Sequence, residues 1–298
     1  MLRTLFIFKL SFMVFFSTIG SSYAADASNT LYWAGCGITK KAFMTELAKA
    51  YELETGVKIV LQGGGATKGI RKVASGELHI GGACRVALER HPLERKAQQV
   101  PVAWDALVVI VNKNNPVETL SLKQLRDIYL GKITNWQELG GLDSEIDLYI
   151  RRGNLSGVGR TLRELVFANF NQKFTGAKYV EKSSGPVEKG VVKNRNGIGV
   201  TGVSSARRRD VKILKLEGIE PSYANIKSGS YLLYRPLYLV REASKKNQLA
   251  NQFIKFALSR RGKDIIRNAG TVPYSDALVL VMKQLEQHNR ATRAGLHR

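Results

Sequence analysis

Apolar positions along the chain follow two periods. Leu31, Tyr32 and Trp33 form a short run, whereas Phe43, Leu47, Ala50, Tyr51 and Leu53 recur at helical spacing until Gly56. The first pattern predicts a strand and the second a helix. Residues 57–61 make the next strand, Ile70, Val73 and Ala74 a short helix stopped by Gly76, and residues 78–80 a third strand. This βαβα order implies a parallel sheet whose carboxyl-end loops lie side by side. Residues 100–102 and 106–111 are β-rich and read as segments crossing into a second α/β unit. In that unit 122–129 is helical and ends at Gly131, 146–150 is a strand, and Leu162, Leu165, Val166 and Phe170 mark a helix. Further strands fall at 198–203 and 211–216, and the β-rich tract 231–240 returns the chain to the first unit. There Phe253, Ile254, Phe256 and Leu258 lie on a closing helix. Two crossings predict a hinged pair of lobes: lobe 1 from residues 25–108 and 232–283, lobe 2 from 109–231. Residues 284–298 are polar and basic and read as a frayed, flexible tail.

The N-terminus changes the picture of where the protein works. Arg3 and Lys9 precede an apolar run through Phe16, and Ser22-Tyr23-Ala24 follows as a small-residue cleavage site. Together these read as a secretory signal peptide over residues 1–24. The run is too short and interrupted to span a bilayer, and no later segment is apolar enough. A periplasmic protein is expected. About 274 residues then remain, enough for two lobes each with its own core. The net charge of +22 is spread along the whole chain, which favours anions in general. No basic segment interleaved with aromatic platforms is present, so nucleic-acid binding is not expected.

Candidate chemistry sits in four glycine-containing loops: Gly35-Cys36-Gly37-Ile38-Thr39, Gly63-Gly64-Gly65-Ala66-Thr67, Gly81-Gly82-Ala83-Cys84-Arg85 and Arg152-Gly153-Asn154-Leu155-Ser156-Gly157. Glycine lets the main chain approach a ligand, and three of the loops enter helices whose N-termini carry partial positive charge. Each is expected to offer backbone N–H groups to a small anion. The triple glycine lacks the lysine and hydroxyl of a nucleotide-binding loop, and no Ser/His/Asp set or paired carboxylates suggest an enzyme. No cofactor or metal site is expected.

The segment Leu125-Arg126-Asp127-Ile128-Tyr129-Leu130-Gly131-Lys132-Ile133-Thr134-Asn135-Trp136 resembles the most diagnostic stretch of the phosphate-binding components of ABC transporters. Gln62-Gly63-Gly64-Gly65, Ile80-Gly81-Gly82-Ala83, Asn112-Lys113-Asn114-Asn115-Pro116, the Arg152 to Gly157 loop and Gly270-Thr271-Val272-Pro273 fall in that family's order. The resemblance spans roughly residues 30–275. It implies the type II periplasmic binding protein fold, two α/β lobes closing on inorganic phosphate, a monomer, and an ABC permease as partner. It maps the family's arginine, hydroxyl and helix amides onto Arg152, Ser156 and Gly157. The first-lobe hydroxyl positions hold Ile38 and Ala66, with Thr39 and Thr67 one residue away as substitutes. The aspartate position holds Cys84, followed by Arg85 as an added cation, and Val158 replaces a threonine. A thiol accepts hydrogen bonds weakly, so discrimination against sulfate is expected to fall.

Cys36 and Cys84 are the only cysteines and both fall in candidate ligand loops of one lobe. Three readings stay open: a disulfide worth about 4 kcal/mol for this loop length, two buried thiols, or thiols that contact a soft ligand or metal. His79 reads as a core or hinge side chain. Two functional readings follow: a periplasmic receptor for phosphate or a related oxyanion, or an interaction module, such as a sensor subunit or adhesin, with a degraded pocket.

Overall fold

In the computed structural model, which describes residues 29–244 and 247–296, the chain opens as the apolar periods predict. Strand β1 (Thr30–Gly35) leads into a continuous helical stretch, α1 (Gly37–Thr39), a π turn at Lys40–Met44 and α2 (Thr45–Thr55), which stops at left-handed Gly56. β2 (Lys58–Gln62), α3 (Gly65–Ala74) and β3 (Ile80–Ala83) complete the unit. β1 pairs in parallel with both β2 and β3, so the three strands end at one sheet edge. Trp33 lies over Gly82, where an added Cβ would stand 2.3 Å from the indole. Gly81 and Gly82 therefore serve packing within β3, and Gly82 spends its carbonyl on the Cys36 N–H at 3.1 Å. The third loop is thus structural at its glycines rather than an anion cradle.

The two crossing segments expected around residues 100–111 are one strand, β4 (Ala97–Asn112). Pro101 and Asp105 break its apolar run, and the strand absorbs Pro101 beside a register shift against its partner. β4 changes partners along its length: residues 97–106 pair with the returning strand and Leu107 to Val111 with a strand of the second unit. That second unit contains β5 (Thr119–Leu120), α4 (Leu122–Tyr129), β6 (Asp147–Arg151), α5 (Gly157–Phe167), β7 (Tyr179–Glu181), α6 (Ser184–Lys193), β8 (Gly197–Gly202), α7 (Val203–Ala206), β9 (Val211–Ile213), β10 (Lys215–Leu216) and α8 (Tyr223–Ser228). A capping box at Ser121 and Gln124 starts α4, and Gly131 follows it at positive φ. β6 runs parallel to β7 and β8, so lobe 2 also gathers its helix-entry loops at one edge.

β11 (Tyr234–Glu242) returns the chain and inserts between β3 and β4, antiparallel to both, giving the sheet order β2-β1-β3-β11-β4-β8-β6-β7. α9 (Gln248–Leu258), α10 (Arg260–Asn268) and β12 (Val272–Pro273) close lobe 1. Phe253 of α9 packs edge-on against Tyr51, and Tyr274 stacks on Trp104 while its carbonyl accepts the indole N–H at 3.1 Å.

The tail differs from expectation. Residues 279–296 form α11 (Val279–Leu296), laid against lobe 2 rather than frayed. His288 meets Glu164 of α5 at 3.0 Å, and Leu280 and Ala291 are fully buried. Its apolar contacts are few and widely spaced among charged residues, so the pattern hid them. The expected signal peptide lies outside the described residues. Among the described residues no helix is long and apolar enough to cross a membrane.

Candidate functional site

The helix-entry loops of both lobes meet at a cleft of about 380 Å³ beside the crossing strands. On the lobe 1 side α1 and α3 begin without side-chain caps. Gly64 and Gly65 hold φ of 145° and 87°, a path open to glycine, and it turns the start of α3 toward the cleft. Among the described residues no acceptor is found for the first-turn amides of Gly37, Ile38, Gly65 and Ala66. Such orphan donors, with the helix dipole behind them, favour an anion. On the lobe 2 side Ser156 caps α5 by accepting the Gly159 N–H, while α6 starts at Ser183 with no side-chain cap. A larger groove of about 570 Å³ lies outside lobe 1, between α2 and α10, but it is walled by side chains such as Glu54 and Arg261 and contains no sheet-edge loop.

The residues singled out from sequence divide sharply. Ala66, Cys84 and Gly157 line the cleft. Cys84 is bonded to Cys36, Cα to Cα 6.4 Å, so the disulfide reading holds and the sulfurs form cleft wall. Thr39 is buried and donates to the Ala83 carbonyl at 3.3 Å. Thr67 donates to the Leu155 carbonyl at 3.2 Å. Arg85 is also buried, held by Glu94 at 2.8 and 2.9 Å, and its Nε reaches the Leu155 carbonyl across the cleft. These three tie loops together instead of facing a ligand. Arg152 is exposed and lies outside the cleft lining. Its neighbour Arg151, at the end of β6, lines the cleft instead, and its Nη1 is buried without a partner. Burial pushes the Arg151 guanidinium down from its usual value, yet arginine stays charged. His79 belongs to neither core nor hinge; its Nδ1 accepts the Tyr32 N–H at the sheet surface.

Several cleft residues escaped the sequence reading. Lys41 of the π turn crosses to lobe 2, 2.7 Å from Ser205 and 3.5 Å from Glu188. Glu188 is buried and accepts from Thr201 at 2.7 Å, from Arg209 at 2.8 Å and from Ser205. Burial alone would raise its pKa, but the bonds from Ser205, Arg209 and Thr201 outweigh that and lower it. Burial, opposed by Glu188, lowers Lys41. The Lys182-Ser183-Ser184-Gly185 loop also lines the cleft. A serine pair followed by Gly185-Pro186 ahead of a helical run is a helix-start signal that could have drawn attention to it. With the one carboxylate saturated, the cleft offers a ligand hydrogen-bond donors and positive charge. Among the described residues no cluster suited to a metal is found.

Two α/β lobes closing on a cationic, donor-lined cleft beside their crossing strands define a solute-binding protein of the type II architecture. A family model described as a PBP superfamily domain matches residues 33–261. The phosphate-binding protein PstS of Bacillus subtilis is 28% identical over 259 residues, covering 85% of this chain and 83% of that protein. PstS of Staphylococcus haemolyticus is 32% identical over 218 residues, 67% of each chain. Among solved structures, a phosphate ABC transporter substrate-binding protein of Clostridium perfringens with bound phosphate superposes with a TM-score of 0.74 at 29% identity, covering 82% of this chain and 99% of that one. The chain belongs to the PBP superfamily, among relatives of the phosphate-binding, PstS type.

Proposed function

We propose that this protein is a periplasmic receptor that captures phosphate or a related oxyanion and presents it to an ABC permease, without chemistry of its own. The observation that carries this reading is the unpartnered, buried Nη1 of Arg151 in a cleft into which uncapped helix starts of both lobes open. Arg151 supplies the charge, and the amides of Gly65, Ala66, Gly157 and Val158 supply donors. Residues 1–24 direct export and are removed near Ala24, leaving a monomer. Calorimetric titration of the purified protein with phosphate, sulfate and arsenate at low salt tests the reading, with heat-stability as a second readout. Binding of an oxyanion sustains it, and silence across the panel with no stabilisation overturns it. One observation favours the second reading, an interaction module. The lobes already touch through Lys41 and Ser205 and through Arg85 and Leu155, so closure has protein contacts of its own.

A further inference from the structure

Arg209 follows the short helix α7, where a turn closes its N–H on the Ala206 carbonyl at 2.9 Å. Its Nε donates to Oε2 of Glu188 at 2.8 Å, and that carboxylate is fully buried on α6. A single bond through Nε fixes the plane of the guanidinium and spares the edge formed by Nη1 and Nη2, a fork that matches two oxygens of a tetrahedral anion. Among the described residues no partner is found for either Nη. The side chain is 28% exposed and lines the cleft. Its Nη2 stands 3.9 Å from where a Cβ on Gly185 would lie, so the fork sits beside the uncapped start of α6. Lys41 reaches the same Oε2 from lobe 1, at 3.5 Å. In the cleft lining, Lys41, Arg151 and Arg209 thus share one carboxylate, an excess of two positive charges before the exposed Lys182 is counted.

We infer that Arg209 is a second anion-binding arginine of this cleft, that Glu188 is the positioning residue that aims it, and that the ligand is an oxyanion of charge two, such as sulfate or hydrogen phosphate. The anion takes the Nη edge of Arg209, Arg151 and the α6 amides complete its contacts on lobe 2, and Lys41 closes over it from lobe 1. Glu188 does not compete for the ligand's donors, because its bonds from Thr201, Ser205 and Arg209 Nε lie within the protein. The inference rests on the reading of the cleft as an oxyanion site and adds the residue and the charge that select its ligand.

Calorimetric titration of the purified protein with phosphate, sulfate and perchlorate tests it. Sulfate and perchlorate share a tetrahedral shape and differ in charge, and sulfate is expected to bind at least about tenfold tighter. Arg209→Gln is expected to lose about 10- to 100-fold for sulfate and less for perchlorate. Arg209→Lys restores the pair with Glu188 but has no fork, so it should recover the parent's melting temperature and not its affinity. In a Glu188→Gln background, where Arg209 is no longer aimed, the loss from Arg209→Gln should shrink to within about threefold. Arg209→Gln binding sulfate within about twofold of the parent, Arg209→Lys restoring full affinity, or perchlorate binding as tightly as sulfate overturns the inference and leaves the oxyanion reading standing. An undiminished loss in the Glu188→Gln background removes the positioning role. No binding of any of the three anions by the parent overturns the inference and the oxyanion reading together.

Discussion

Cys84 and Gly157 meet across the cleft so closely that a Cβ added to Gly157 would stand 2.3 Å from the Cys84 sulfur. The sulfur cannot swing aside, because it is tethered to Cys36. Gly157 is helical with ordinary φ, so the requirement for glycine here comes from the opposite lobe rather than from the backbone. Gly157→Ala is therefore expected to leave each lobe folded but to hold the cleft open. Small-angle scattering should show a larger radius of gyration for the variant, and anion-induced compaction should vanish. A variant as compact as the parent would contradict the contact.

The neighbours Arg151 and Arg152 provide a sharp test of the site. Removing a charge-assisted hydrogen bond to a bound anion costs about 1.5–3 kcal/mol, or about 10- to 100-fold in affinity. Arg151→Gln should show that loss, whereas Arg152→Gln, changing an exposed side chain outside the cleft lining, should stay within about twofold apart from a salt-dependent loss of long-range attraction. The opposite ranking, measured by calorimetry, would return the role to Arg152.

That pair also shows how much of the site was legible in the sequence. The alternating α/β order, the two crossings and the clustering of helix-entry loops follow from apolar periodicity, because burial imposes it. The family spacing from Ser156 backward selects Arg152, but β6 extends through Arg151, and Arg151 is the one that lines the cleft. Spacing counts residues and does not see which face of a strand end is turned inward. Thr39, Thr67 and Arg85 were plausible donors by type, yet each finds a carbonyl or carboxylate within the protein. Lys41 was invisible because the partners that bring it to the cleft, Glu188 and Ser205, are more than a hundred residues away in the chain.

Glu94 gives the protein an acid limit. Its side chain is buried; burial opposes ionisation, but hydrogen bonds from Arg85, the Leu88 N–H and Arg71 prevail and bring the carboxyl from 4.5 down to about 2. A carboxyl depressed on folding contributes stability that is complete above the unfolded value and lost as pH falls through the folded one. Denaturant unfolding should thus lose on the order of 2 kcal/mol between pH 5 and pH 2 from this group. Glu94→Gln should lack this component, and at pH 7 should be less stable by about 3–5 kcal/mol, since Arg85 is left buried without its partner. If the variant and the parent lose stability in parallel from pH 5 to 2, Glu94 is not the group responsible.

The last helix makes a prediction that composition alone opposes. Residues 284–298 look dispensable, being polar and basic at the end of the chain, yet α11 rests on α5 through His288 and Glu164, places the His288 ring 5.5 Å from that of Phe170, and buries Ala291. Because α11 follows the Tyr274 stack on Trp104 of β4, it fastens lobe 2 to the strand shared by both lobes. Ending the chain at residue 283 should uncover that face of α5 and cost about 1–3 kcal/mol, a fall in melting temperature of about 2–10 °C. His288→Ala should reproduce only a part of it, since Ala291 stays buried. Hydrogen exchange would locate the loss: faster exchange confined to α5 and α8 is the expected signature, and an unchanged melting temperature after truncation would mean that α11 does not hold the lobe.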